Sequence, residues 1–163
     1  MAMTAKTSKL HFIRRMTLKI GGISVFRLQR KMQSKKFGVT IFADQIIYGP
    51  YFNTLRKKTK IEIGFITVRD LGFRKNPTFE ELFAKVRQIN GVCRAEVGPH
   101  LRLVYNNQRR NTRCWIAMET IPVCVASPAV FLLADENGEK RMHGSMVLPY
   151  RWGLNREIVV RCN

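Results

Sequence analysis

Thr78 and Glu81 form a Thr-x-x-Glu box directly after Pro77, and together with the apolar run behind it this box is the firmest local instruction in the chain. In such a box the threonine hydroxyl accepts from the backbone N–H three residues on. The glutamate reaches back to the N–H of the capping residue, so two orphan donors of a helix start are satisfied together. Phe79, Leu82, Phe83, Val86 and Ile89 then recur at helical spacing and make one apolar stripe. Glu80 and Glu81 stand in the first turn, where the helix N-terminus favours negative charge, and Asn90–Gly91 supplies the stop. The spacing predicts a helix over Phe79–Ile89. A helix with a single apolar stripe has to bury it against another layer, and the rest of the pattern offers strands.

In KIEIGFITVRD, Ile61, Ile63 and Phe65 share one parity while Ile66 and Val68 take the other, as in a strand covered on both faces. Leu101–Tyr105 alternates and reads as a strand, paired with Cys114–Glu119 across the polar loop Asn106–Thr112. Ala129–Ala134 runs into the turn sequence DENG at Asp135–Gly138, and Met142–Leu148 and Glu157–Cys162 complete the strands. Nearer the N-terminus, Leu18 and Ile20 alternate with Lys19, and Ile23 and Val25 with Ser24, on either side of Gly21–Gly22. Gly-Gly between alternating runs signals a hairpin, because both central positions of its turn need positive φ. A short helix over Phe26–Gln33 competes with continuation of the second strand. A further strand is expected near Phe37–Phe42, before the break at Gly49–Pro50. The fold class expected is α+β, a mostly antiparallel sheet of short strands packed against one main helix, about residues 79–89. Strands and helices do not alternate over a long stretch, which excludes a doubly wound architecture.

Charge divides the chain more sharply than hydropathy does. Residues 1–60 hold fourteen Lys or Arg against one acid, Asp44, whereas residues 61–163 hold fifteen against ten. The expected organisation is a basic N-terminal region, 1–60, with a β-hairpin, and an α+β core, 61–163, either separate from it or continuous with it. At 163 residues and a net charge of +18 the chain is the size of one domain and attracts polyanions. No run of eighteen apolar residues is present, so no membrane span is expected, and the first segment, Met1–Gly22, lacks a continuous apolar run before a small-residue cleavage site and does not read as a secretory signal. Cys93, Cys114, Cys124 and Cys162 lack the close spacing of a zinc site and are too sparse for a disulfide scaffold; they are expected as reduced thiols of a cytoplasmic protein. No metal site is expected. Neither a phosphate-cradling glycine loop nor a dinucleotide fingerprint is present, and no cofactor is expected.

The charge pattern points to a small nucleic-acid-binding protein that contacts mainly the phosphate backbone. The candidate contacts are Arg14, Arg15, Arg27, Arg30, Lys31, Lys35, Lys36, Arg56, Lys57, Lys58 and Lys60, together with Arg109, Arg110 and Arg113 on the polar loop. Aromatic residues interleave with them, among them Phe12, Phe37, Tyr48, Tyr51 and Phe52, and exposed rings can stack on unpaired bases. RNA is favoured over duplex DNA because the sheet-rich reading offers no recognition helix.

Two other function classes fit the same composition. One is a small metal-independent ribonuclease of the toxin type. His100, His143, Glu96, Glu119 and Arg102 are its candidate base, acid and transition-state cation. Glu96 and His100 are four apart, but Gly98–Pro99 between them is expected to break any helix, so nothing in the spacing brings them together. The other is a non-catalytic interaction protein bound to an acidic protein or a ribonucleoprotein.

DLGF at Asp70–Phe73, the capped helix, and CRAEVGPHLRLVYNNQ at Cys93–Gln108 resemble runs in small uncharacterised bacterial proteins, over about Lys60–Ile121. The resemblance implies no activity and assigns no functional residue.

Overall fold

The computed structural model of the chain describes residues 9–123, 127–148 and 150–162; Cys124 and most of the polar start lie outside them. Eight strands build one mixed sheet: β1 (Arg14–Ile20), β2 (Gly38–Val39), β3 (Thr59–Thr67), β4 (Arg113–Ile116), β5 (Ile121–Val123), β6 (Ser127–Glu136), β7 (Glu139–Met146) and β8 (Glu157–Cys162). Their order is β1-β3-β8-β4-β6-β7-β2, with β5 also paired to β6. Four helices accompany the sheet: α1 (Val25–Ser34), α2 (Ile41–Tyr48), α3 (Phe79–Gln88) and α4 (Val97–Val104).

The α+β class holds, but the expectation of a mostly antiparallel sheet with one main helix does not. β4 runs parallel to β8 and β2 runs parallel to β7, and three helices join α3. The helix at 79–89 forms as its capping box requires: the Thr78 hydroxyl accepts from Glu81 N at 3.2 Å, and Glu81 Oε2 accepts from Thr78 N at 2.8 Å. The DENG turn also forms. Asn137 and Gly138 both take positive φ, and Asp135 Oδ1 accepts the Gly138 N–H.

The N-terminal hairpin does not form. Gly21 and Gly22 take the expected positive φ, 72° and 67°, but the turn they make leads into a helix. Ser24 caps it by accepting from Arg27 N, and β1 pairs instead with β3. Gly21 is required for a second reason. A Cβ there would stand 2.5 Å from the Lys57 carbonyl oxygen, so the turn packs backbone to backbone on the 53–58 loop. The strand expected near Phe37–Phe42 shrinks to Gly38–Val39, because Thr40 caps α2.

The strand expected at Leu101–Tyr105 is α4. Pro99 falls in its first turn, where a helix has no use for the missing N–H, so Gly98–Pro99 starts the helix rather than breaking it. Gly98 lies so close to β6 that a Cβ would stand 2.6 Å from the Phe131 ring. Leu101 and Tyr105 are buried four apart, and a five-residue alternation is too short to tell a strand from a helix turn.

One apolar core contains Leu18, Leu28 and Ile46 from the basic third together with Phe65, Val97, Phe131 and Val159 from the remainder. The charge boundary near residue 60 therefore falls within a continuous core. α1 packs on α4, and α4 packs on β1, β6 and β7. Among the described residues, no helix is long and apolar enough to cross a membrane.

Candidate functional site

α1 presents two faces. Leu28, Gln29 and Met32 point into the molecule. Arg27, Arg30, Lys31, Ser34 and Lys35 recur at three- and four-residue intervals on the exposed side, which makes a basic stripe. This stripe forms one wall of a groove of about 860 Å³ whose other boundaries are the end of β1, the Gly21–Gly22 turn and α4. Six cationic side chains line it: Lys19, Arg27, Arg30, Lys31, Lys35 and Lys58. No carboxylate does. Ile23, Leu103 and Val104 supply apolar surface, and His100 is the one imidazole among the lining residues. An adjoining pocket of about 540 Å³ adds Arg56 and shares Gly22, Ile23 and Arg27.

Among the described residues these charges are not neutralised by a carboxylate from elsewhere. Every ion pair among the described residues is made by side chains between Arg87 and His143. The sheet register even sets Lys19 directly opposite Lys60, and like charges placed across a strand pair oppose each other.

Behind the groove lies a buried carboxylate. Glu96 is fully buried at the start of α4. Its Oε1 accepts from Leu55 N at 3.0 Å and from Arg94 Nε at 2.8 Å. Its Oε2 accepts from Gly21 N at 3.1 Å and stands 3.6 Å from His100 Nε2. Arg94 also donates to Asn53 Oδ1 at 2.6 Å. Burial alone would raise the Glu96 pKa, but the contacts from His100, Arg94 and the Leu55 N–H together hold the carboxyl below the usual carboxylate range. One ionised group thus ties the β1–α1 turn, the 53–58 loop and α4 together, and it fixes the rear edge of the groove.

The remaining candidates separate. His143 stands 3.2 Å from Glu136, on the β6–β7 hairpin, and burial pulls its pKa below the usual imidazole value. Glu119 is paired with Arg87 on the surface. Arg102 is fully buried and donates to Gln108 Oε1 at 2.6 Å and to the Tyr105 carbonyl, so it braces the end of α4 instead of facing a ligand. Only Glu96 and His100 of the five-residue catalytic set come together.

Among the candidate phosphate contacts, Arg27, Arg30, Lys31, Lys35 and Lys58 share the groove. Lys36 and Lys57 are exposed beside it in sequence, and Lys60 lies across from Lys19. Arg14 donates to Asn107 Oδ1 and lies over the Tyr105 ring, and Arg15 lies over the Phe12 ring. Arg109 and Arg110 are exposed on their loop, while Arg113 is engaged by Glu136. Lys19 is absent from the sequence-derived set, although its parity against buried Leu18 and Ile20 marks it as outward-facing. Of the interleaved aromatics, Phe52 is core, whereas Tyr48 and Tyr51 are exposed. Phe26 is exposed too, with the Arg30 guanidinium 5.9 Å from its ring.

Cys93, Cys114 and Cys162 are free thiols, and burial pushes the Cys93 pKa up to about 12. No group of three or more His, Cys, Asp or Glu placed to hold a metal occurs among the described residues. Comparison of the chain with protein-family models, with curated proteins and with solved structures finds no match.

Proposed function

We propose that the chain binds nucleic acid in the groove between α1 and α4 and that it takes a single strand, RNA in preference to duplex DNA. The observation that carries this reading is the convergence of six cationic side chains, none held in an ion pair among the described residues, on one groove whose lining includes no carboxylate. Lys and Arg so placed replace the counterions of a phosphate backbone. The lack of a basic helix cannot be the ground for preferring RNA, because α1 is one. The groove itself supplies a better ground. α1 is flanked by α4 instead of projecting alone, and a recess of this volume admits a short stretch of one strand while a duplex would meet only its rim. Ile23, Leu103 and Val104 offer apolar contact for sugars or bases, and Phe26 beside Arg30 offers a stacking surface.

Reversing two charges of the stripe, Arg27→Glu with Lys31→Glu, tests the assignment. Both side chains are exposed, so folding should be retained and single-stranded RNA affinity should fall by about 100-fold or more at physiological salt, where each lost phosphate contact also becomes a repulsion. Unchanged affinity in a folded double variant would refute the assignment. An equal loss on reversing Arg109 and Arg110 would place the interface on their loop instead.

A further inference from the structure

We propose that the groove cleaves RNA, with His100 as the base that removes the 2′-hydroxyl proton; this rests on the groove being the RNA-binding site. The lone pairs of Glu96 decide which nitrogen of His100 is free to act. Oε1 is filled by the Leu55 N–H and the Arg94 Nε–H, and Oε2 takes the Gly21 N–H at 3.1 Å. One acceptor position on Oε2 remains, and His100 Nε2 is the group beside it, at 3.6 Å. The Gly21 N–H is shared: it donates to Oε2 at 3.1 Å and to Nε2 at 3.3 Å, and the carboxylate is the nearer and stronger acceptor. Nε2 is the nitrogen turned toward the carboxylate and the Gly21 turn, and in the proposed reaction it carries the ring proton. Nδ1, which makes no hydrogen bond among the described residues, is then the nitrogen left for a ligand. The imidazole lines the groove, and its side chain is 11% exposed.

A base of this kind, in a groove of cations, suits one reaction of RNA that needs no further reactant. Nδ1 takes the 2′-hydroxyl proton as O2′ bonds to the adjacent phosphorus, and the phosphorus–O5′ bond breaks. The departing O5′ takes a proton from a groove ammonium, Lys19 or Lys58, which His100 replenishes through water. The products are a 2′,3′-cyclic phosphate and a 5′-hydroxyl, and no net proton is consumed. Arg27 and Lys31, which line the same groove, would stabilise the extra charge on the phosphoryl oxygens.

The test uses the full chain, a single-stranded RNA oligonucleotide in chelator, and its fully 2′-O-methylated analogue. Wild-type protein should bind both and cleave only the first, leaving 2′,3′-cyclic phosphate ends, and a single 2′-deoxy substitution should protect the bond at that site. His100→Gln should cut the single-turnover cleavage rate at saturating protein by at least about 100-fold. Binding of the analogue with RNA left intact overturns the proposal and leaves the groove assignment standing. So does cleavage at the wild-type rate by His100→Gln, or products with 5′-phosphate ends. Failure to bind either oligonucleotide overturns both.

Discussion

Replacing Glu96 by Gln changes one buried atom from acceptor to donor, and its cost follows from the contacts around it. Glutamine can keep an oxygen toward Leu55 N and Arg94 Nε, but its amide nitrogen then meets the Gly21 N–H and His100 Nε2, which are both at hydrogen-bond range of the present Oε2 or close to it. A hydrogen bond to a charged group contributes about 1.5–3 kcal/mol, and a buried N–H left without an acceptor costs about 1–3 kcal/mol. Arg94 is partly solvated and recovers part of its loss from water, so the net expectation is about 3 kcal/mol. For a chain of this size that lowers Tm by about 6–12 °C, and a urea transition should shift without a change in slope. Glu96→Ala, which removes both acceptors, should cost more than Glu96→Gln. The pH dependence has a definite sign. The folded carboxyl titrates below its ordinary value of 4.5, so its contribution is full above that pH and is lost as the pH falls through the lower folded value. The gap between wild type and Glu96→Gln should therefore narrow on acidification below about pH 4.5. A Glu96→Gln protein within about 0.5 kcal/mol of wild type at neutral pH would refute the role of this carboxylate as the tie between the three segments.

Two further substitutions probe the elements around the groove. Gly98→Ala drives a methyl to within 2.6 Å of the Phe131 ring, and overpacking of this kind costs about 1–3 kcal/mol, read as a lowered urea midpoint. Arg102→Met leaves the Tyr105 carbonyl and Gln108 Oε1 without their buried donor and should cost about 2–4 kcal/mol, while RNA affinity of the folded variant stays unchanged because Arg102 does not face the groove.

The parts of the fold legible in the sequence are those whose signal is complete within a few residues. The Thr78–Glu81 box carries both of its hydrogen bonds in four positions, and Asn137–Gly138 supplies the two positive φ angles of its turn. Gly21–Gly22 is legible as two positive φ angles, and the helix expected over Phe26–Gln33 as the alternative to a strand is the one that forms, as α1; the choice between them depends on Ser24 finding the Arg27 N–H and on the turn packing against Lys57. The strand reading of Leu101–Tyr105 fails for want of length, and the rule that proline breaks helices hides the pairing of Glu96 with His100. Pro99 is tolerated in the first turn, and once α4 is a helix the four-residue spacing places carboxylate and imidazole together. The basic stripe of α1 is present in the sequence as composition but not as a face, because a face exists only once helical spacing is known. Arg102 gives no sign of burial, since its partners, Tyr105 and Gln108, act through the conformation of the loop after α4.

The salt dependence of RNA binding tests the central claim most directly. Six groove cations engaged with a single strand give a slope of about −4 for log affinity against log salt, or about 300-fold between 50 and 200 mM. Neutralising Arg27 and Lys31 to Gln should flatten that slope by about 1.4. A slope near zero for the wild-type protein, or one that the double substitution leaves unchanged, would contradict the account.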